Sequence, residues 1–383
     1  MKSILLTTTA LVAFAGAAVA DGHAGISFSG NTEFGYNDNE PSAAALANPN
    51  FNDDEQGFYW NTDVDVTMSA ALDNGLTAST SFEIDIVGDP MNSMALASDE
   101  WVASLESENA GLFIGDTAFA AETLWVSAGD MESDNFSEQD GENVIRGDVS
   151  VAGVDASISY VITDAAQAYV ADSHTGAEDV DQLSLGLAGE FGMFSVAVAY
   201  QDAADAGFGA AAIAANGDFY ADEVFGISAG VAVAGADITV AYASNETLDE
   251  NSTGIKVAYP FGPVTATAYY VSEDDAAGED NYGVKVAYSA GAVAVTADYQ
   301  DDQGTEKWSL DGSFDVGNGM TVYAGVENQN EADEDYYVAA SYDLGGGAEV
   351  LVSYAEDDDG DREDEVGAND YQAGTTVEVS FSF

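Results

Sequence analysis

The chain ends on Thr375-Thr376-Val377-Glu378-Val379-Ser380-Phe381-Ser382-Phe383, in which apolar and polar residues alternate up to an aromatic terminus. This alternation is typical of a β-strand with one apolar face. A strand at the end of a chain has an edge that must pair, and the first strand can pair with it if the sheet closes into a barrel. We therefore expect the remaining sequence to form the wall of a closed antiparallel β-barrel.

The sequence from Gly25 onward repeats one unit, in which two alternating segments of about ten residues are joined by a short turn and followed by a longer acidic connection, as in outer-membrane barrels. The turns are rich in glycine and lie at 73–75, 108–111, 152–153, 191–192, 234–235, 261–262, 289–291, 316–319 and 344–347. Together with a first and a last strand, they predict an all-β fold with an even number of strands, between about 16 and 20.

One face of these segments is apolar and often ends on tyrosine, as in Val196-x-Val198-x-Tyr200 and Val350-x-Val352-x-Tyr354. The other face is small or polar. An apolar face that suits lipid and tyrosines that suit the headgroup level predict a transmembrane barrel with a wet interior. A soluble secreted calcium-binding β-protein is the alternative, but its strands would average about five to six residues.

The N-terminus has the three parts of a secretory signal peptide: Lys2, an apolar run from Ile4 to Val19, and small residues at Ala18 and Ala20. We expect cleavage after Ala20, so that residues 1–20 are the signal peptide and residues 21–383 form one barrel domain in the cell outer membrane. No other apolar run reaches the roughly 20 residues of a membrane-spanning helix.

The charge and the cysteine content of the chain restrict its possible binding partners and metal sites. The chain has 70 acidic and 6 basic residues and no cysteine. Such a charge repels nucleic acid and concentrates cations. Without cysteine there is neither a disulfide nor a thiolate metal site.

Three segments resemble the general diffusion porins of Gram-negative outer membranes, closest to the alphaproteobacterial type. They are Gly111-Leu112-Phe113-Ile114-Gly115-Asp116, Asp343-Leu344-Gly345-Gly346-Gly347-Ala348 and the last strand ending on Phe383. The resemblance implies a homotrimer of water-filled barrels, each narrowed by an inward-folded third loop, for passive diffusion of small hydrophilic solutes. It also implies that Phe383 is read by the outer-membrane assembly machinery. The family's barrels typically have fewer strands than we expect here, and the arginine cluster of their constriction is lacking.

Residues 117–143, the constriction loop, have no strand alternation and keep many apolar groups, including Phe119, Trp125 and Phe136. A connection of this length needs a functional reason, and its apolar groups predict packing against the inner wall. Its acids would then project into the pore: Glu122, Asp130, Glu132, Asp134, Glu138, Asp140 and Glu142. A solvated exterior loop is the alternative.

Four basic residues alternate with apolar neighbours and are therefore expected to line the pore: Arg146, Lys256, Lys285 and Lys307. The lysines should lie on successive strands of the same direction. Cations that face an acidic loop would create a field across the pore and tune its selectivity. The alternative is that each lysine pairs with a lumenal acid, such as Glu306 or Asp311 near Lys307.

Four acids on the first hairpin should face each other across two strands, because folding about Asn74 places Asp65 opposite Glu83 and Asp63 opposite Asp85. Opposed like charges destabilise a sheet, so nearby cations must relieve them. This acidic quartet could hold calcium, which takes six to eight oxygen ligands. The alternative is a lumen screened by mobile cations. The acidic run 357–361 lacks EF-hand spacing and is interpreted as a solvated loop.

The sequence therefore predicts an outer-membrane porin, a cation-preferring channel with no cofactor and no catalytic residue. Gly226-Ile227-Ser228-Ala229-Gly230 matches the hydrolase nucleophile motif but continues as a strand, where that motif needs a strand-to-helix turn. An alternative is a structural or adhesive outer-membrane barrel with a closed lumen, whose acidic loops contact lipopolysaccharide or other cells through divalent ions.

Overall fold

A computed structural model describes residues 24–39, 57–87, 95–139, 142–164, 177–204, 219–274, 278–329, 334–357 and 365–383. Within these ranges, twenty antiparallel strands form one sheet, and one short helix, α1 (Ala120–Leu124), precedes β6. The first ten strands are β1 (Ala24–Asn37), β2 (Gly57–Ala71), β3 (Thr77–Val87), β4 (Ala95–Glu106), β5 (Ala110–Asp116), β6 (Asn143–Val151), β7 (Val154–Asp164), β8 (Ala177–Phe191), β9 (Phe194–Gln201) and β10 (Val224–Val233).

The second half of the sheet begins after β10. Its strands are β11 (Ala236–Asn245), β12 (Glu250–Phe261), β13 (Val264–Asp274), β14 (Asn281–Ala290), β15 (Val293–Asp302), β16 (Thr305–Gly317), β17 (Met320–Asn328), β18 (Asp335–Gly345), β19 (Ala348–Glu356) and β22 (Gly374–Ser382). Two more strands, β20 (Glu365–Val366) and β21 (Tyr371–Gln372), pair only with each other.

The sheet closes on itself, as the C-terminal alternation predicts. Strand β22 pairs with β19 on one side and with β1 on the other. Phe383 extends the closure, because Gly30 N donates to Phe383 O and Phe383 N donates to Gly30 O, each at 3.1 Å. The predicted closed antiparallel barrel is confirmed, at the upper limit of the expected strand number.

Short turns and long connections lie at opposite ends of the barrel, here the turn end and the loop end. Each predicted glycine-rich turn joins two consecutive strands. Between β6 and β7, Ala152 and Gly153 both have positive φ, 55° and 82°. Two such residues suit the two-residue turns whose twist matches that of a hairpin.

Side-chain exposure follows the predicted alternation. On β12, Thr253, Ile255 and Tyr259 are exposed, whereas Ser252 and Gly254 are buried inside the barrel. The outer surface is therefore apolar and the inner surface small and polar, as a membrane barrel requires. In the described ranges, no helix has the length and hydropathy to cross a membrane.

Outward-facing tyrosines lie near the loop end and donate their hydroxyls to carboxylates. Tyr200 bonds to Glu223 at 2.9 Å, and Tyr282 bonds to Asp301 at 3.1 Å. A phenol places an apolar ring in lipid and a polar group in the headgroup layer. The tyrosine girdle predicted from the sequence is therefore present at this end.

Two segments fold into the barrel and cover its inner wall. One is the constriction loop, which includes α1. The other is the lumenal hairpin, residues 365–373, which includes β20 and β21. Each contributes buried apolar side chains to clusters formed with inward-facing residues of the wall.

The described ranges begin at residue 24, so the predicted signal peptide, residues 1–20, lies outside them. Asp140 of the constriction loop and most of the acidic run 357–361 lie outside them as well.

Candidate functional site

The first part of the constriction loop is held to the wall by serine hydroxyls. Ala120 N donates to Ser159 Oγ of β7 at 2.9 Å, and Ala121 N donates to Ser184 Oγ of β8 at 2.8 Å. These amides open α1 and have no partner within the helix, so the wall serves as their cap. The backbone amides at the start of α1 are thus hydrogen-bonded to serine side chains on the lumenal face of the strands.

The distal part of the loop is held in the same way. Ser133 N donates to Ser252 Oγ of β12 at 2.9 Å, and Ser137 N donates to Gln201 Oε1 of β9 at 2.7 Å. Asn281 of β14 donates to the backbone oxygen of Asp130 at 3.2 Å. The loop therefore extends along the wall from β7 to β14 and returns.

Glycines make room for the loop on the wall. A Cβ added to Gly186 of β8 would overlap the backbone oxygen of Ala120, and one added to Gly254 of β12 would lie 2.8 Å from the backbone oxygen of Ala128. On β10, a Cβ on Gly226 would lie 2.5 Å from the ring of Trp125. The wall backbone therefore contacts the loop backbone at Gly186 and Gly254 and the Trp125 ring at Gly226. A larger residue at any of these three positions would prevent that close contact.

Apolar side chains complete the attachment. Phe119 is fully buried, with its ring centroid 6.0 Å from that of Phe219. The rings of Trp125 and Phe136 are 5.6 Å apart and pack near the wall residues of β9 and β10. The sequence-based prediction that the loop folds inward onto the wall is confirmed.

The acids of the loop do not all face the pore. Glu122 caps α1 by accepting from Phe119 N at 3.1 Å, and Asp134 accepts from Trp125 Nε1 at 2.8 Å. Glu138 is exposed. Glu142 is fully buried, so the prediction that it projects into the pore is wrong. Glu142 lies one residue before β6, where the constriction loop rejoins the wall.

Asp130 and Glu132 lie where the loop meets β13 and β14. Asn281 Nδ2 donates to Glu132 Oε1 at 3.1 Å. Burial and the negative charge of Asp302 raise the pKa of Asp130, and the nearby Lys307 partly offsets that rise. The loop thus brings a carboxylate next to a lumenal ion pair.

The predicted basic residues lie on the inner face of β6, β12, β14 and β16, and each has a partner. Arg146 Nε is 3.1 Å from Asp148, and its Nη1 donates to Ala118 O at 2.7 Å. Lys256 Nζ donates to Ser127 O at 2.9 Å. Two of the four therefore hold the constriction loop rather than facing free solvent.

The other two lysines form ion pairs on the wall. Lys285 Nζ is 3.0 Å from Asp298, and Lys307 Nζ is 3.0 Å from Asp302. The partner of Lys307 is not one of the acids expected from the sequence, because Asp302 reaches it across the turn between β15 and β16. The inner row Lys256, Tyr269, Gly283, Gln300 and Lys307 follows the strand register, with Lys285 two residues closer to the turn end.

The acidic quartet has the predicted register: Asp65 pairs with Glu83, and Asp63 pairs with Asp85. Asp63 accepts from Asn31 N at 2.9 Å, and Asp65 accepts from Ser29 Oγ at 3.2 Å. Among the described residues, no three acidic or histidine side chains converge as ligands for a metal ion. The calcium site stays a prediction, and two of its four carboxylates, Asp63 and Asp65, are already bonded to β1.

The segment that matches the hydrolase motif lies inside β10, and Ser228 is buried on the inner face. No strand-to-helix turn exposes its hydroxyl, so the geometry of a nucleophile elbow is not present there.

The lumenal hairpin was not predicted from the sequence. Tyr371 packs on Tyr337 of β18 with ring centroids 4.8 Å apart, and Val366 is nearly fully buried beside them. The sequence signal that could have identified the hairpin is the presence of two large apolar residues, Val366 and Tyr371, soon after a strongly acidic run.

Comparisons with known proteins identify the family of this chain. Two engineered variants of the Rhodopseudomonas blastica porin align with 94% of this chain and 100% of their own, at 15% identity and TM-scores of 0.47 and 0.45. No curated protein matches. The family model of Gram-negative porins matches residues 7–221 and 203–376, which together span most of the sequence. The chain therefore belongs to the Gram-negative porin family.

Proposed function

We propose that this porin, an outer-membrane channel for small solutes and ions, prefers cations. One observation carries the proposal: every basic side chain that the described ranges contain is bonded to an acid or to a backbone carbonyl. The acids greatly outnumber them, with 70 acidic against 6 basic residues in the chain. A wall with excess carboxylates and neutralised cations has a negative potential, which raises the local cation concentration.

The acidic quartet supports the same proposal. Its two directly opposed carboxylate pairs lie on β2 and β3, outside the sector from β7 to β14 to which the described part of the constriction loop is bonded. Opposed like charges cost up to about 1 kcal/mol per pair unless counterions screen them. Mobile cations in the lumen provide that screening.

The test is a planar-bilayer recording under a salt gradient. We expect discrete channel openings and a reversal potential of the sign that indicates cation preference. Lys285→Glu should increase that preference, because it removes a positive charge and leaves Asp298 without its partner. Lys285→Met, which removes the charge without reversing it, is the matched variant and should have an intermediate effect. A folded barrel without current would favour the closed-lumen structural barrel, and identical reversal potentials for all forms would contradict the role of Lys285.

The selectivity should also depend on pH through Asp130. Because its pKa is raised, Asp130 takes up a proton at a higher pH than an ordinary aspartate as the solution is acidified. Cation preference should therefore begin to fall earlier on acidification in the parent than in Asp130→Asn. Reversal potentials measured between neutral pH and about pH 4 would show this, with the exposed Glu138→Gln as control. Superimposable titrations of the parent and Asp130→Asn would contradict the assignment.

The remaining features rest on family membership and the sequence. We propose a homotrimer, a signal peptide removed after Ala20, recognition of Phe383 by the outer-membrane assembly machinery, contact of the acidic loop end with lipopolysaccharide, and no catalytic activity. Openings in multiples of three would support the trimer, and the mass of the mature protein would test the cleavage site.

A further inference from the structure

The lumenal hairpin, like the constriction loop, covers the inner wall. Val366 pairs with Tyr371, and both side chains are at least nine-tenths buried. They cover Tyr337, Ala339 and Ala355, which point inward from β18 and β19 and are buried only because the hairpin lies over them. Inward-facing residues of a porin wall would otherwise face water.

Hydrogen bonds fix the hairpin on both sides. Gly367 N donates to Glu327 Oε1 of β17 at 2.7 Å, and Asn37 Nδ2 of β1 donates to Ala373 O at 2.8 Å. Burial raises the pKa of Tyr371 to about 12, so its hydroxyl is uncharged at neutral pH. The hairpin is thus attached to a sector of the wall that extends from β17 to β1.

Both inward segments reach a similar depth. The ring of Tyr371 in the hairpin lies 6.4 Å from that of Tyr323, which pairs with Ala339, four residues along β18 from Asp335 at the loop end. The backbone of the constriction loop lies against Gly254, four residues along β12 from Glu250. At roughly 3.3 Å per residue, each contact lies about 13 Å along the strand from the loop end.

The two segments also face each other. The sheet is a ring of twenty strands. The constriction loop contacts β7 to β14 and meets β10 near the middle of that sector, whereas the hairpin is centred on β19. These two strands are nine positions apart in the ring, and ten positions would be diametrically opposite. At one depth, the lumen is therefore covered from two opposite sides.

We propose that the lumenal hairpin is a second constriction element, so that the narrowest section of the pore lies between it and the constriction loop. The proposal rests on the channel function stated above. The exposed residues at the tip of the hairpin, Ala368 to Asp370, face the passing solutes. They contribute a carboxylate, Asp370, which suits a pathway for cations and neutral hydrophilic molecules.

A single cysteine at the tip tests the proposal, since the native chain has no cysteine that could react in its place. Ala368→Cys is conservative, because Ala368 is small and exposed. The probe is a cationic trimethylammonium-ethyl methanethiosulfonate, with which the thiolate forms a mixed disulfide and releases methanesulfinate. The added group is bulky and positively charged. We expect a stepwise loss of current in each open channel, which a reductant reverses.

The matched control is Leu248→Cys, in the exposed turn between β11 and β12 at the loop end. Mass spectrometry shows that both variants are labelled, and the labelled control should conduct as before. Full labelling of Ala368→Cys without a change in current would overturn the proposal, as would a thiol that the reagent does not reach. No current before labelling would overturn the channel function itself, and the two failures are therefore distinguishable. A merely structural hairpin would leave the current unchanged.

Discussion

A chain that ends at Ala373, and so lacks β22, is expected not to form a barrel. Strand β22 pairs with both β1 and β19. Its removal leaves two open sheet edges in the hydrocarbon layer, where each unpaired backbone group costs several kcal/mol. Refolding into detergent, followed by electrophoresis with and without heating, should show complete loss of the compact heat-sensitive form.

The control for this truncation is a chain that lacks Phe383 alone. It keeps β22 and loses the two backbone hydrogen bonds with Gly30, about 1 kcal/mol each, together with the aromatic ring of Phe383, a residue that is 42% exposed. This shorter deletion should refold in detergent but reach the outer membrane poorly in cells, because the proposed assembly signal is gone. Efficient barrel formation by the chain ending at Ala373 would contradict the role of β22 as the closing strand.

Gly186→Val should have the second largest effect, because it pushes the constriction loop away from the wall. The new side chain would overlap the backbone oxygen of Ala120, with Leu124 a further close neighbour. Overpacking of this kind costs about 1–3 kcal/mol. The two amide-to-serine bonds of α1 contribute about 1 kcal/mol each, so an overlap in the upper part of that range is enough to displace α1 from these serines. The distal part of the loop stays attached at Ser252, and α1 therefore moves into the lumen and lowers the single-channel conductance.

Gly312→Val is the matched control, since it replaces a strand glycine whose Cβ would meet no atom closer than 3.6 Å. Valine suits a strand, so both variants should still form the barrel. Equal conductance for Gly186→Val and the parent, with the barrel folded, would show that the loop does not depend on backbone contact at this position.

The wall of the barrel was predictable because apolar and polar residues alternate with a period of two along its strands. The register of the acidic quartet followed from one turn, since folding about Asn74 fixes each pair along β2 and β3. The constriction loop was predictable for a different reason: Phe119, Trp125 and Phe136 need a surface to pack on, and the wall is the nearest one.

The partners inside the lumen were less predictable. Lys307 pairs with Asp302 because of the conformation of the turn that follows Asp302. The alternation of apolar and polar residues along the strands does not predict that conformation. The lumenal hairpin was missed because β20 and β21 have two residues each, too few for any period. The acidic run that precedes the hairpin is typical of a solvated loop and predicts no inward-facing segment. The charge of Glu142 predicts a place in the pore, although its side chain is fully buried.

The way in which the constriction loop is fastened separates two properties of the pore. Most of its bonds to the wall join uncharged groups, as between the Ala120 amide and Ser159 or the Ser133 amide and Ser252. Such bonds and the apolar contacts beside them are nearly indifferent to dissolved ions, whereas the field of the carboxylates is screened within about 8 Å at 0.15 M salt and within about 3 Å at 1 M. We therefore expect a change in the salinity of the surroundings to weaken or strengthen the proposed preference for cations, while the width of the pore stays the same.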